Sequence, residues 1–473
     1  MVRLTILFSM IAFICAYAFR DWYKSLCALI LMMAFIENPE MPKGLLGIQG
    51  LSVWNMVLLC VCIGCAMKWK EEGLKWDMPQ KITVLLSLFI ALIVIAYVRF
   101  IVDLDGMREY SVIANKSFDS ILGHTSNHLI NPLKWLAPAA LLFIGCRSEE
   151  RFRLGLYTLL GMYVLLALQI IRWMPIGDLV GGEDFAERAL RVLAKEMGYH
   201  RVDLSMILGG AFWAIVAART YLQSILAKMM VPGLLAITFL GQALTGGRAG
   251  YVTWAGVGFA MAWLKWRRYL ILAPIAAILM IGFVPAIKDR MMQGFDEDSV
   301  DTRSHNVEAE WIDDGDYDFY TVTAGRVIAW PFVVEKIVQR PIIGYGRRAM
   351  QREGVATRLL TELGESFPHP HNAYLQWTFD NGIIGLIIVM TMFIHFGIYA
   401  MRLLRDKESA EAVAAGGACF ALMLALAIAA IGSQTFYPRE GTVGMWCAIG
   451  LMMRVHVSLN NKRAAAGKSL KNG

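Results

Sequence analysis

The sequence predicts an all-α integral membrane protein. Of its 473 residues, 57% are hydrophobic and 18% are charged, and the mean hydropathy is +0.51, which is far more apolar than a typical soluble domain. Apolar runs close to the roughly 20 residues that a spanning helix needs recur from Leu4 to Val457. We therefore expect twelve transmembrane helices, or thirteen if the first two runs are separate spans.

The apolar runs also divide the chain into regions. We expect an N-terminal transmembrane region at 1–287, one large periplasmic loop at 288–372, C-terminal transmembrane helices at 373–457 and a basic cytoplasmic tail at 458–473. The runs are Leu4–Phe19, Leu26–Ile36, Leu51–Met67, Ile82–Ile101, Pro132–Cys146, Leu154–Trp173, Leu204–Ala218, Ala227–Leu244, Ala249–Leu264, Tyr269–Ile287, Gly382–Ala400, Ala412–Ile431 and Val443–Met453.

The net charge of +7 indicates topology rather than nucleic-acid binding. Lysine and arginine concentrate in alternate connectors, which the positive-inside rule assigns to the cytoplasm. The remaining connectors, including the large loop, are then expected outside an inner membrane. The side of the N-terminus depends on the span count. The basic connectors are Lys68–Lys81, Arg147–Arg153, Lys265–Arg268, Arg402–Lys407 and Asn461–Lys471.

Cysteines and acidic residues give no clear metal site. All eight cysteines lie in or at the ends of apolar runs, so no disulfide framework is expected. Cys60, Cys62 and Cys65 are more typical of a helix interior than of a metal site. The acidic segment Asp296–Asp318 is interpreted as a solvated loop, with binding of a divalent cation as the alternative.

Two arginines lie where a membrane surface is expected. Arg248, in "ALTGGRAGYVTW", follows a turn of only Thr245–Gly247 between two apolar runs, which places it at headgroup depth. It is either an arginine that snorkels from a helix end or a functional group. Arg326, in "TAGRVIAW", is by itself typical of an ordinary loop arginine. The stretch Ala324–Gln339 has helical apolar spacing interrupted by Pro331.

Two histidines alternate with prolines in "ESFPHPHNAYLQWTFDNG". Proline restricts its own backbone and that of the preceding residue, so His369 and His371 should be held in place. Asn372 suits the N-cap of a helix that begins at Ala373, and Asp380–Gly382 should kink that helix. Neutral imidazole accepts the proton that a hydroxyl nucleophile loses, but a purely structural histidine remains the alternative.

An arginine presents a planar fork of donors to phosphate oxygens. Two arginines and a histidine at one membrane face therefore suggest chemistry on a lipid-linked pyrophosphate, in which the lipid pyrophosphate leaves. Between them, "RPIIGYGRRAMQREG" (340–354) is interpreted as a turn-rich surface segment.

These motifs resemble the O-antigen ligase and polymerase superfamily of bacterial inner-membrane proteins. The family has a histidine followed by asparagine or serine, then leucine and glycine, matched here by His371, Asn372, Leu375 and Gly382. It also has an arginine that opens a span, matched by "TGGRAG" at Arg248. A further arginine precedes an "hP-x-x-G-x-G" segment, matched by Arg326 and "RPIIGYG". The resemblance extends over about Ala236–Met390.

The resemblance implies a metal-independent, inverting glycosyltransferase of the type-C class without a cofactor. It would move a glycan from undecaprenyl pyrophosphate to an acceptor hydroxyl at the periplasmic face. His371 would be the base or orient the acceptor, and Arg248 and Arg326 would bind the pyrophosphate. Supporting roles are expected for His369, Asn372, Arg347, Arg348, Arg201 and Asp203, although the family often carries asparagine near the last two.

The resemblance leaves the acceptor open. Lipid A core is the first expectation, and a growing polysaccharide or a protein serine or threonine is the alternative. Two hypotheses from other classes of protein remain open: a polysaccharide transporter and a non-catalytic scaffold for envelope assembly. The absence of a sequence repeat and the position of the charges at span ends argue against a transporter.

Overall fold

The structure is a computed structural model that describes residues 2–42, 44, 52–175, 177, 185–271, 274–275, 278 and 325–467. Within these ranges every regular element is helical. The acidic segment Asp296–Asp318 and most of the run Tyr269–Ile287 lie outside the described residues. The helices are α1 (Val2–Ala18), α2 (Trp22–Met32), α3 (Val53–Lys68), α4 (Gln80–Val102), α5 (Asp105–Ile113), α6 (Ile121–Thr125), α7 (Asn131–Lys134), α8 (Ala137–Gly145), α9 (Glu149–Trp173), α10 (Phe185–Met197), α11 (Arg201–Ala218), α12 (Ile225–Leu244), α13 (Arg248–Leu264), α14 (Arg326–Gln339), α15 (Ala349–Arg352), α16 (Val355–Leu363), α17 (Ala373–Leu404), α18 (Ala410–Ala429) and α19 (Val443–Ala465).

The apolar runs that fall in the described residues lie on helices, as expected for a multi-pass membrane protein. Seven helical stretches there are long and apolar enough to cross a membrane, and α1 to α3 contain shorter apolar helices. The first two runs do not fuse, because a turn separates α1 from α2 and Asp21 caps α2 by accepting from the Lys24 amide at 3.1 Å. The span count of twelve or thirteen stays a prediction. Helix α19 continues to Ala465, into the segment assigned to the tail.

Burial distinguishes central helices from peripheral ones. In their most apolar windows, 78% of α11, 78% of α18 and 83% of α19 are buried inside the protein. The corresponding shares are 22% for α12, 28% for α17 and 33% for α4. The first three helices therefore form the centre, and the last three present apolar side chains outward, which suits contact with lipid.

The connectors separate into two groups at opposite ends of the bundle. Basic connectors meet each other at one end, where Arg151 pairs with Glu72 at 2.6 Å and Arg463 pairs with Asp406 at 2.6 Å. The alternate connectors meet at the other end, where the Asn38 side chain donates to the Glu196 carbonyl at 2.7 Å. We call this second end, which carries Arg248 and His371, the site end. The grouping agrees with the alternation in the sequence.

Helix α17 starts and kinks where the sequence predicts. The Asn372 side chain accepts a hydrogen bond from the Leu375 amide at 3.1 Å and so caps the helix. Gly382 has φ 68° and ψ −176° inside the helix, a conformation that is essentially restricted to glycine. The kink leaves backbone groups on both sides of Gly382 without helical partners.

The segment 341–346 supplies those partners. The amides of Tyr345 and Gly346 donate to the carbonyls of Phe379 and Asp380 at 2.9 and 2.7 Å, and the Ile383 amide donates to Pro341 at 2.8 Å. A β-carbon on Gly344 would lie 2.5 Å from the Phe379 oxygen, so only glycine allows this approach. The glycines of "RPIIGYG" and Gly382 of the α17 kink therefore lie on the two sides of one backbone contact.

The expectation of a surface segment at 340–354 is wrong for its central part. Tyr345, Arg347 and Gln351 are buried, because the segment pairs with the open backbone of α17 and the Arg347 amide donates to Ala96 of α4 at 2.9 Å. Pro331 does not interrupt α14, which continues through it.

We expect Gly382→Ala to destabilise the protein by at least about 2 kcal/mol, because of its backbone conformation and because the new methyl group would lie 2.1 Å from the Ile342 oxygen. The measurement is the thermal unfolding of the purified protein in detergent. Gly397→Ala is the matched control, since a β-carbon at this position of the same helix meets nothing within 4 Å. Equal melting temperatures for the two variants would contradict the role of the kink.

Candidate functional site

The turn before Arg248 is fastened by α11. The carbonyl of Gly246 accepts a hydrogen bond from Arg201 Nη1 at 2.9 Å, and that of Gly247 accepts one from Ser205 Oγ at 2.9 Å. The turn is buried, while Arg248 itself is half-buried at the first position of α13. Arg201 and Arg248 are thus held on two sides of one turn at the site end.

Arg326 is the first residue of α14 and lies against the loop 430–442. A β-carbon on Gly432 would be 3.4 Å from Arg326 Nη1. Among the described residues no carboxylate forms an ion pair with this guanidinium. Burial, and then the positive charge of Arg248, lower the pKa of Arg326. A partly buried cation next to another cation is costly unless an anion joins them.

His371 lies between α14, α17 and the loop 430–442. Trp330 Nε1 of α14 donates to the Pro370 carbonyl at 2.9 Å, and the Ala373 amide donates to the Ala430 carbonyl at 2.7 Å. His371 has a φ of 49°, one of three positive values outside glycine in the described residues. Such values are uncommon and often mark functional positions.

The imidazole of His371 is available to accept a proton. Among the described residues neither ring nitrogen has a hydrogen-bond partner, whereas the backbone amide donates to His369 Nδ1 at 3.3 Å. The two imidazole rings are 3.9 Å apart. The contact assigns the unprotonated nitrogen of neutral His369 to Nδ1 and orders the backbone immediately before His371.

The surroundings keep both imidazoles neutral. Burial, followed by the positive charge of Arg326 and the neighbouring His200, lowers the pKa of His371 to about 4, and Asp203 opposes this shift in part. Burial also holds the pKa of His369 well below its usual range. At neutral pH His371 is therefore an uncharged acceptor.

Asp203 forms an ion pair with Arg439. Arg439 was not selected as a site residue from the sequence. The Asp203 carboxylate accepts from Arg439 Nη2 at 2.6 Å and from Ser433 Oγ at 2.9 Å, which ties the loop 430–442 to α11. Arg439 lies in "FYPREG" between two apolar runs. The same argument that selected Arg248, a charge next to a span end on the outer side, would have selected it.

Arg347 forms a second ion pair, with Asp380 of α17. The two side chains are 3.3 Å apart, the hydroxyl of Tyr437 donates to the same carboxylate at 2.9 Å, and the Arg347 guanidinium lies 3.6 Å from the centre of the Tyr437 ring. Arg348 follows with φ 62°, and burial lowers its pKa to about 10. Among the described residues it has no ion-pair partner.

The predicted residues thus form two groups at the site end. Arg201, Arg248, Arg326 and His371 surround the turn before α13 and the loop 430–442. Arg347 and Arg348 lie on the other side of His369, towards α4. Asn372 acts as a helix cap and Asp203 as an ion-pair partner. Within the described residues, no group of three or more His, Cys, Asp or Glu side chains is arranged to hold a metal ion.

One feature is common to the three arginines around the turn. Arg201, Arg248 and Arg326 are each the first residue of a helix, α11, α13 and α14, and His371 directly precedes the N-cap of a fourth. Helix N-termini carry partial positive charge and free amides. The fold and this site define a multi-pass α-helical membrane protein with a cationic site at one end of its bundle.

Comparison with known proteins agrees with this class. Residues 233–390 match the family model described as O-antigen ligase, and this segment contains Arg248, Arg326 and His371. The match and the relatives below confirm the resemblance to the O-antigen ligase superfamily.

The relatives are rickettsial proteins. One from Rickettsia conorii, named "Putative polysaccharide ligase", is 31% identical over 102 residues, or 20% of this chain and 24% of the relative. A protein of the same description from Rickettsia felis is 32% identical over an equally long segment. One from Rickettsia prowazekii is 36% identical over 74 residues, or 18% of its length. The chain thus matches about a quarter or less of these relatives' length.

Proposed function

We propose that the protein is a ligase-type glycosyltransferase that moves a glycan from undecaprenyl pyrophosphate to an acceptor hydroxyl. The observation that carries the proposal is the meeting of three helix N-termini, each beginning with an arginine, beside the neutral imidazole of His371. Such a site suits a ligand with several phosphate oxygens. The family match over residues 233–390 supports the same reaction class.

The proposed reaction uses these groups without a metal. The acceptor oxygen attacks the anomeric carbon of the glycan while the bond from that carbon to the pyrophosphate oxygen breaks. His371 accepts the hydroxyl proton, and Arg248 and Arg326 stabilise the negative charge that grows on the departing undecaprenyl pyrophosphate. Attack from the face opposite the leaving group inverts the anomeric configuration.

We place the site end on the periplasmic side of a bacterial inner membrane. The supporting observation is that the lysine- and arginine-rich connectors lie together at the opposite end of the bundle, where the positive-inside rule assigns them to the cytoplasm. A donor with its isoprenoid chain in the bilayer would then hold its phosphates at the depth of the helix N-termini.

Lipid A core is the acceptor that we propose first. The test is a reconstituted reaction in proteoliposomes with labelled undecaprenyl-pyrophosphate glycan and, in separate samples, lipid A core, non-reducing-end glycan or a serine-rich protein. We expect labelled product only with lipid A core. Product with another acceptor would identify a polymerase or a protein glycosyltransferase instead, and no product with any acceptor would contradict the proposal.

The pKa of His371 gives this reaction an expected pH profile. Because the neutral imidazole is the active form and its pKa is lowered to about 4, kcat/KM should stay level from neutral pH to below the ordinary histidine value of about 6.5. It should fall only as the pH drops further and the ring becomes protonated. The measurement is kcat/KM of the reconstituted protein against pH. An acid limb centred at or above pH 6.5 would contradict the predicted environment of His371.

A further inference from the structure

Two polar side chains that the proposed reaction does not use lie on the other side of His369 from Arg326. They are Arg348, which follows the buried segment 341–347, and His128, in the connector between α6 and α7. Burial, and then neighbouring positive charges that include Arg348, lower the pKa of both His369 and His128. The guanidinium of Arg348 is therefore near both rings.

Helix α4 brings the two chain segments together. The hydroxyls of Tyr97 and Thr125 are hydrogen-bonded at 2.7 Å. The preceding residue of α4, Ala96, accepts from the Arg347 amide at 2.9 Å. Asn127 and Arg347 also line one cavity of about 440 Å³ at the site end, a volume typical of small-molecule pockets. The next residues in the chain, one on each segment, therefore lie beside an opening large enough for a ligand.

Aromatic packing fixes the ring of His128. Phe100 of α4 contacts two imidazoles edge-on, with its centre 5.0 Å from that of His128 and 5.2 Å from that of His124. The two imidazoles are 5.9 Å apart and nearly parallel. His128 lies in a π-helical turn, Ser126–Ile130, a rare conformation that is frequent at functional sites. These contacts hold His128 in one orientation beside Arg348.

The side chains of Arg348 and His128 make no hydrogen bond to any residue that the structure describes. Nε of Arg348 and Nδ1 of His128 are buried without a partner. Each residue as a whole is only half-buried, which leaves the outer nitrogens open to a ligand. A polar group withdrawn from water without a partner costs free energy, and a ligand that supplies the partner recovers it.

The charge at this place is positive. Two carboxylates attract Arg348, those of Asp380 and Asp119. The first is already paired with Arg347 at 3.3 Å. The second is exposed and forms no ion pair with Arg348 in the described part of the chain. A half-buried guanidinium in this situation favours an anion as its partner.

A metal ion fits this place less well than an anion. His124 and His128 are four residues apart, a spacing that can hold a metal, but the positive charges of Arg347 and Arg348 act on His128 and would repel a cation. Among the described residues no third ligand completes a metal site, and a structural zinc site needs four.

A phosphate matches the two side chains together. The planar fork of an arginine donates to two phosphate oxygens, and a neutral imidazole has one N–H that can donate to another. A phosphate has enough oxygens to accept from both groups at once, whereas a carboxylate has only the two that the arginine already uses.

We propose that Arg348 and His128 form a second phosphate-binding site, separate from the site of Arg248 and Arg326. Its phosphate belongs either to the acceptor molecule or to a phospholipid head group at the same depth. The first source rests on the proposed function, in which the donor phosphates lie at Arg248 and Arg326 and the acceptor approaches His371 from another side. The second source does not depend on that function.

The first test is equilibrium dialysis on the full chain in phosphatidylcholine nanodiscs. The probes are the lipid-free core oligosaccharide released from lipid A with its phosphates, and the same oligosaccharide after the phosphates are removed. We expect Arg348→Asn to raise the dissociation constant of the phosphorylated probe at least about tenfold and to leave that of the other probe unchanged. Asparagine is chosen because it tolerates the φ of 62° at this position.

Two further variants make this test specific. His128→Phe keeps an aromatic ring but removes the N–H, so it should weaken binding of the phosphorylated probe at least about threefold. Arg340→Gln is the matched control, because it removes the same charge from an exposed position eight residues earlier and should bind as wild type does. Equal weakening by Arg340→Gln and Arg348→Asn would reveal unspecific attraction and overturn the proposal.

The second test distinguishes the phospholipid from the acceptor. Native mass spectrometry measures phosphatidylglycerol retained by the purified protein. If the phosphate is a head group, wild type should retain this lipid and Arg348→Asn should lose it, while both bind the oligosaccharide equally. The proposal is overturned if Arg348→Asn changes neither ligand, or if Arg326→Gln loses the phosphorylated probe in its place.

Failure of the proposed function would look different from failure of this site. Phosphate binding that depends on Arg348 would then persist while the reconstituted wild type transfers no glycan to any acceptor. Melting temperatures equal to that of wild type will show that the variants are folded.

Discussion

Replacing His371 with alanine should lower the rate of glycan transfer by roughly 10²–10⁴-fold, the usual contribution of a general base. The expected cause is the loss of the only proton acceptor that we assign next to Arg326. The donor should still bind, because the arginines are unchanged, so the effect should fall on kcat rather than on KM. The measurement is steady-state transfer in proteoliposomes.

His395→Ala is the matched control for this experiment. His395 is a half-buried histidine in the same helix, hydrogen-bonded to the Thr391 carbonyl at 2.7 Å, and it lies far along α17 from the site end. Its replacement should leave transfer within about twofold of wild type. Normal transfer by a folded His371→Ala variant would exclude His371 as the base.

Replacing Arg326 with glutamine should lower transfer by roughly 10²–10³-fold, as the loss of one donor to a developing negative charge does elsewhere. Because this guanidinium is partly buried without an ion-pair partner among the described residues, its removal should not destabilise the empty protein. The transfer rate should therefore fall while the melting temperature stays that of wild type. Both are measured, as kcat/KM and as melting temperature in detergent.

Two further variants define the role of Arg326. Arg326→Lys keeps the charge but loses the planar fork, so it should recover only part of the activity. Arg358→Gln removes an exposed arginine that pairs with Glu362 at 2.9 Å and should transfer normally. If Arg326→Gln instead lowered the melting temperature and the activity together, Arg326 would be a structural residue.

The local features of the fold followed from local chemistry. The apolar runs, the cap at Asn372 and the kink at Gly382 each depend on one short stretch of chain, so hydropathy and backbone preference predicted them. The docking of the segment 341–346 did not follow, because its hydrogen-bond partners are distant in the chain: backbone groups of α17, and Arg99 of α4, which lies 244 positions from Ile343 and donates to its carbonyl. Its glycines indicated turns, and nothing local indicated that the turns fill a broken helix.

In the candidate site, too, features set by one short stretch of chain were predicted and contacts between distant stretches were not. Arg248, Arg326 and His371 were selected by position and family motif, and the structure brings them to one end of the bundle. Their specific roles stay predictions. Asp380 was missed as a site residue because an ion pair between distant segments leaves no pattern in a single sequence, whereas the position of Arg439 between two apolar runs could have selected it. Arg201 was placed near the site, but its bond to the Gly246 carbonyl could not be foreseen.

The pair between Asp203 and Arg439 has a consequence for biosynthesis. Its members lie 236 positions apart in the chain, and Arg439 enters the membrane assembly only with the last pair of long helices. Until then the loop that supports Arg326 and the start of α17 is not in place. A partly synthesised chain therefore carries Arg201, Arg248 and Arg326 but lacks the loop against which Arg326 and the start of α17 lie, so the site is complete only when insertion is nearly finished.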